Sequence, residues 1–369
     1  MGILFYRLSA IFTAILLFFS AVTGIAPAKR VQNVILLIGD GMGEMHLDMT
    51  EDLRDISVGI KSLPQYGYSM TYSASSSVTD SAAGATALAC GVKTGNGRIA
   101  TYYPETDSYE KYESYYPLSL TELCIENGMK TGVVTTDKLT GATPGCFSAH
   151  AESRNDDEDI SADQLVSGID ILWGKDSETV TEEQVAQAGY VCIDTIDEMN
   201  ALTGNEKSYA MFSSSLYHTY NKNSYTPTLS QMTEKAIELL DSTSEYGFFL
   251  MVEGAHIDKK SHDKDEDGAA EALEEFDNAV AKAIEFAEND GHTLVVVTAD
   301  HETGGVTVND NGEYEMTTGG HTSRDVPVRA FGPYKFIEDG EVIENIYIPL
   351  RITQALEFKD GCFPASRDK

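Results

Sequence analysis

The stretch VQNVILLIGDG (Val31–Gly41) decides the fold. Its run Val31–Ile38 is mostly apolar without regular alternation, and it ends in the turn-forming Gly39-Asp40-Gly41. A short apolar run closed by such a turn reads as a strand buried on both faces, the kind found in parallel sheets. Three further runs repeat the type: Lys130–Thr136, Tyr246–Val252 followed by Glu253-Gly254, and His292–Thr298 leading into Ala299-Asp300-His301. Helical patterns at 81–90, 118–127, 228–242 and 268–289 lie between them. This alternation predicts an α/β three-layer sandwich: a mostly parallel central sheet with helices on both faces.

The same runs point to a site. Asp40, Glu253 and the pair Asp300-His301 each follow a strand-like run directly. Ligands of open α/β sheets gather outside the carboxyl ends of the strands, so residues remote in sequence are expected to meet on one rim. VTDSAAGATA (Val78–Ala87) adds a serine beside an aspartate at the head of a small-residue helix. A helix start offers free N–H groups and partial positive charge, which suit a phosphate oxyanion, and Ser81 there is placed to act as a nucleophile. Alone, Asp80 or Ser81 would simply cap a helix.

Asp258 and His262, four residues apart in EGAHIDKKSH, share a helix face and are able to grip one ion. Asp300-His301 forms a second such pair, and His321 in Gly319-Gly320-His321 lies in what reads as a flexible loop. Each signal alone has an ordinary reading as a polar turn or solvated helix start. Their shared placement beside strand ends argues for metal chemistry.

Charge and length narrow the class. The chain has 369 residues and a net charge of -33, from 26 basic and 59 acidic residues. Such acidity argues against nucleic-acid or anionic-membrane binding, and an anionic substrate would need local positive charge such as divalent metals. Residues 1–28 read as a secretory signal, with Arg7 ahead of an apolar run from Leu8 to Val22 and Ala26-Pro27-Ala28 as the cleavage site. That predicts export to the periplasm or outside, no membrane span after cleavage, and one catalytic domain over 29–369. An uncleaved anchor is the competing reading, with a run short for a full span. Five cysteines without a CxxC pair support no disulfide assignment, and Cys90 reads as a small buried hydrophobe. The segment 99–116 is rich in Tyr and acidic residues and reads as a surface loop. Residues 151–226 carry acidic charge without a motif.

Taken together and in this order, LLIGDGMG, VTDSAAGATA, GATPGCFSAHAESR, VEGAHIDKKSH, VTADHETGG and GGHTS resemble the alkaline phosphatases over roughly residues 33–335. The resemblance implies a phosphomonoesterase acting on small phosphate monoesters through a phosphoserine at Ser81, with Arg154 clamping phosphate oxygens. It implies two zinc ions and one magnesium. One zinc takes Asp258, His262 and His321, the second takes Asp40, Asp300 and His301, and magnesium takes Asp40, Thr143 and Glu253. Nitrogen-rich sets suit zinc and an all-oxygen set suits magnesium. A homodimer is a further family expectation. Lys259 stands where some bacterial members place a lysine that reaches phosphate through water. His150 and His256 are expected to be structural or to lie behind the metal ligands and support them.

Two departures from the family pattern carry expectations of their own. Gly141, two before Thr143, replaces the Asp or His that many members carry, which predicts a looser magnesium site. The 19 residues between His301 and His321 are too few for an accessory crown domain, so a minimal form is expected. The rivals are a phosphodiesterase of the same superfamily and a catalytically silent phosphate- or metal-binding protein. A sulfatase is disfavoured because Ser81-Ala82-Ala83-Gly84 lacks its C/S-x-P-x-R context.

Overall fold

The computed structural model describes residues 30–102, 116–213, 216, 225–359 and 362–365. The signal-like residues 1–28 and most of the Tyr-rich segment (103–115) lie outside them; Tyr102 and Tyr116 lie within. The strands are β1 (Asn33–Gly39), β2 (Gln65–Met70), β3 (Lys130–Lys138), β4 (Ile171–Lys175), β5 (Tyr190–Ile193), β6 (Lys207–Ala210), β7 (Phe248–Gly254), β8 (Thr293–Thr298), β9 (Glu302–Thr303), β10 (Val306–Val308), β11 (Tyr314–Met316), β12 (His321–Thr322), β13 (Val326–Phe331) and β14 (Glu341–Glu344).

Ten of them form one sheet in the order β14-β2-β13-β8-β1-β7-β3-β4-β6-β5. Only β13 runs antiparallel to its neighbours there, and β1 sits between β7 and β8 and pairs parallel with both. All seven residues of β1 are buried, as its continuous apolar pattern requires. The short pairs β10-β11 and β12-β9 stand apart from the main sheet.

Alternate side chains of β1 divide the interior in two. Val34, Leu36 and Ile38 join a core with the helix α1 (Ser81–Cys90), with Leu120 and Leu123, and with Ile348 and Ile352. Ile35 and Leu37 face the other way, toward α2 (Leu229–Thr243) and α3 (Glu266–Asp290). The strand period of two thus puts one helical layer on each face, giving the expected three-layer sandwich. The motif-poor residues 151–226 supply β4, β5 and β6, which form one edge of the sheet.

Register aligns the site. Ile38 lies opposite both Glu253 and Thr298, and Thr135 lies opposite Glu253. Two steps further along, Asp40 and Asp300 leave the sheet side by side. Gly41 makes the turn: its φ is +73°, and an added Cβ would stand 2.9 Å from the Asp258 Cα. Only glycine accepts both that conformation and that contact.

All five cysteines are free, and Cys90, Cys124 and Cys146 are buried. Among the described residues, no helix is long and apolar enough to cross a membrane.

Candidate active site

Ser81 is the first residue of α1, buried, with Asp80 as its N-cap. Asp80 Oδ1 accepts from the Ala83 N–H at 3.0 Å, which satisfies one orphan donor of the helix start. Its second oxygen accepts from the Gly97 N–H at 2.9 Å and from Arg154 Nη1 at 3.0 Å. The cap that shapes the helix start therefore also holds the guanidinium beside it. The Arg154 N–H donates to the Gly97 carbonyl at 2.8 Å, which pins its backbone as well.

The Ser81 hydroxyl lies 3.1 Å from His301 Nε2. Burial, then the neighbouring His321, lowers the His301 imidazole to about 3, so the ring is neutral. Its Nδ1 faces Thr303 Oγ1 at 3.2 Å, and the Thr303 hydroxyl itself donates to Asp258 Oδ1 at 2.5 Å. Thr303 is thus left to accept from Nδ1–H, and His301 turns a lone pair at Nε2 toward the site. Asp40 Oδ1 lies 3.5 Å and Asp300 Oδ2 3.4 Å from that nitrogen. Neither oxygen has a hydrogen-bond partner, although both are buried. Burial, followed by mutual repulsion with neighbouring carboxylates, pushes both carboxyls well above the usual range. Two buried oxygens without a donor, beside the Nε2 lone pair, are suited to a cation.

A second group is built the same way. His262 Nδ1 donates to the Gly319 carbonyl at 2.7 Å, and His321 Nδ1 donates to the Thr79 carbonyl at 2.9 Å. With both Nδ1 hydrogens committed, the two Nε2 atoms meet at 3.2 Å. Asp258 stands 3.4 Å from one and 3.7 Å from the other. Hydrogen bonding to Asp258 raises His262 to about 9, so a proton stays in the gap at neutral pH. Burial alone would push Asp258 up, but its bonds to His262 and Thr303 and the charge of His262 hold it low. A divalent ion is the natural replacement for that proton, since metal-binding imidazoles commonly anchor the other ring nitrogen on a backbone carbonyl.

Asp258 belongs to both groups: Asp40, Asp258 and His301 bring ligand atoms within 4.8 Å of one another, as do Asp258, His262 and His321. His321 is not in a flexible loop. It lies in the short strand β12, paired with Thr303 of β9, and its ring stacks on His301 with centroids 3.6 Å apart. Backbone pairing within a compact β-hairpin region, formed by the 19 residues after His301, fixes it.

The third, oxygen-only group holds Glu253 at the end of β7 and Thr143 on the short helix 142–148. Burial, then the charge of Asp137, pushes the Glu253 carboxyl up to about 7 against the hydrogen bond from Thr135, and Thr143 Oγ1 is buried without a partner. Lys259 Nζ donates to Asp137 Oδ1, which places it beside this group. His150 bonds the Ala100 carbonyl at 2.7 Å and Glu122 at 3.0 Å, away from the cluster, as a structural residue does. Sequence reasoning passed over Thr303, Thr135 and Asp137. A signal for Asp137 existed: it follows the run Lys130–Thr136 directly, as Asp40 and Asp300 closely follow theirs.

The fold and this cluster define a class: an α/β sandwich with carboxylate–histidine groups and a helix-capping serine gathered at the carboxyl ends of parallel strands. A family model described as alkaline phosphatase matches residues 31–174 and 173–316. The chain belongs to the alkaline phosphatase family. It is 31% identical over 396 residues to the alkaline phosphatase of Escherichia coli (strain K12), covering 83% of this chain and 82% of that protein. It is 36% identical over 307 residues to alkaline phosphatase 3 of Bacillus subtilis (strain 168), spanning 77% of this chain but only 64% of that relative's length. Among solved structures, alkaline phosphatase from the Antarctic bacterium TAB5 superposes with a TM-score of 0.77 at 30% identity, covering 90% of this chain and 100% of that one. A histidine-to-glutamate mutant of the TAB5 enzyme, described with Mg bound in its M3 site, gives the same agreement.

Proposed function

We propose that this protein is an exported metal-dependent phosphomonoesterase, with one catalytic domain over residues 29–369. The observation that carries the reading is the approach of Ser81 Oγ to His301 Nε2 at 3.1 Å, at a helix start and beside unpartnered Asp40 and Asp300 oxygens. Asp258, His262 and His321 would hold one zinc, and Asp40, Asp300 and His301 a second. Asp40, Thr143 and Glu253 would hold magnesium, in line with the magnesium named for the TAB5 mutant. The ions, when bound, supply the positive charge that favours the Ser81 alkoxide and offsets charge on the phosphoryl group.

The protein's own groups do the rest. Ser81 Oγ forms a bond to phosphorus as the ester P–O bond breaks, and the alcohol departs. Water then attacks the phosphoserine, inorganic phosphate leaves, and Ser81 regains its proton. Arg154, held by Asp80, offers paired N–H donors to the equatorial oxygens through both half-reactions. The free N–H groups at the α1 start lie beside the same position. Lys259 adds charge near the phosphate. Export rests on the composition of residues 1–28 alone.

The test is turnover of p-nitrophenyl phosphate with and without a chelator, beside bis-p-nitrophenyl phosphate. Chelator-sensitive monoester hydrolysis supports the proposal. Preference for the diester would make it a phosphodiesterase, and binding of phosphate without turnover would make it a silent relative.

A further inference from the structure

The space beside Gly141 is filled by another residue. A Cβ built on Gly141 would stand 2.8 Å from Asp137 Oδ2 and 2.9 Å from the Lys138 carbonyl oxygen. Gly141 has φ -56°, which any residue adopts, so crowding rather than backbone conformation calls for glycine here. The nearest crowding atom is a carboxylate oxygen. Asp137 and a side chain at 141 are therefore alternative occupants of one space.

A bulge delivers Asp137 there. Val134 pairs with Trp173 and Lys138 with Lys175, so β3 takes four steps where β4 takes two. Extra residues of this kind bend a strand and re-aim its side chains. The Asp137 N–H donates to Thr135 Oγ1 at 2.8 Å, and the Thr135 hydroxyl donates to Glu253. Asp137 Oδ1 accepts from Lys259, the residue after Asp258. One aspartate is thus tied through its backbone to the Glu253 carboxylate and through its side chain to the helix carrying Asp258 and His262.

We infer that Asp137 is a positioning residue of the Thr143–Glu253 cation site, standing in for the side chain that Gly141 lacks. The inference rests on the reading of that group as a magnesium site. A small hard cation keeps part of its water shell, and a carboxylate beside it orients those waters while fixing Lys259 alongside. The chain then does not have a depleted third site; it supplies the missing carboxylate from the bulged end of β3. Gly141 leaves room for the Asp137 carboxylate, which a side chain at 141 would have to displace.

The experiment titrates magnesium into the zinc-loaded full chain by calorimetry, comparing wild type, Asp137→Asn, Asp137→Ala and the double variant Asp137→Ala/Gly141→Asp. Zinc content and circular dichroism are followed in each. Both single variants are expected to bind magnesium ~10–100-fold more weakly with zinc content unchanged. The double variant is expected to recover part of that loss, because removing Asp137 clears the nearer of the two contacts at 141. Asp137→Asn binding magnesium as tightly as wild type would leave Asp137 only a surface ion pair with Lys259 and overturn the inference, with the cation site intact. A wild-type protein that takes up no magnesium overturns the site reading and this inference together.

Discussion

Thr303 Oγ1 donates its hydrogen to Asp258 Oδ1 at 2.5 Å and lies 3.2 Å from His301 Nδ1. One threonine thereby joins the two carboxylate–histidine groups: it sets the His301 tautomer and the Asp258 orientation together. Thr303 also pairs through its backbone with His321, so three proposed ligands depend on its position.

Replacing Thr303 with valine keeps the shape and removes the hydroxyl. Zinc affinity is expected to fall ~10–100-fold, the usual cost of losing a group that orients metal ligands. Thr303→Ser should retain most of it. Competition with a colorimetric chelator measures both, and equal affinity in Thr303→Val would remove Thr303 from the metal assembly.

Ser81→Ala is expected to lower turnover by several orders of magnitude. Zinc content should stay near normal, because Ser81 holds no metal in the proposed scheme. Mass spectrometry of acid-quenched wild type should place the phosphoryl group on Ser81. Label on another residue would reassign the nucleophile.

Arg154→Ala should weaken inhibition by inorganic phosphate roughly 10–100-fold, the range for losing charge-assisted hydrogen bonds. Turnover should slow moderately. Asp80 keeps its bonds to Ala83 and Gly97, so the helix start should survive. An unchanged inhibition constant would make Arg154 a surface residue.

Metal affinity at the Asp258–His262–His321 group should depend on pH in a definite direction. Asp258 raises His262 to about 9, so below that pH a proton occupies the nitrogen a metal needs. Binding must release it, and affinity should fall by up to about tenfold per pH unit as pH drops from about 9. Above about 9 that contribution levels off. Zinc titrations in a series of buffers read the slope, and a flat profile from neutral pH to about 9 would count against this proton–metal exchange.

Gly41→Ala tests the turn beneath the site. With φ at +73° and a 2.9 Å contact to Asp258, the substitution should cost about 1–3 kcal/mol. It should also displace Asp40 or Asp258. A chelator-free melting curve gives the stability change and a zinc titration gives the displacement.

Much of this was legible in the sequence because periodicity encodes it. The mostly apolar runs at Val31–Ile38 and His292–Thr298 identified central strands, with ends shifted by one or two residues in β1 and β8. Residues just past those runs had to gather on one rim, since parallel strands place their carboxyl ends together. Asp40, Glu253, Asp300 and His301 therefore declared themselves, and the i, i+4 spacing of Asp258 and His262 survived as a shared helix face. The proton arrangement, the order of the outer strands and the filling of the Gly141 space belong to tertiary structure alone. Carbonyl oxygens of Gly319 and Thr79 decide which imidazole nitrogens face the metal, yet they are remote in sequence and carry no side-chain signature. The bulge between Val134 and Lys138 leaves a composition like that of any strand end. Local propensity reports how a segment lies along its own axis. Which distant atom it meets depends on register and packing, and that is where Asp137 took over the space that Gly141 left open.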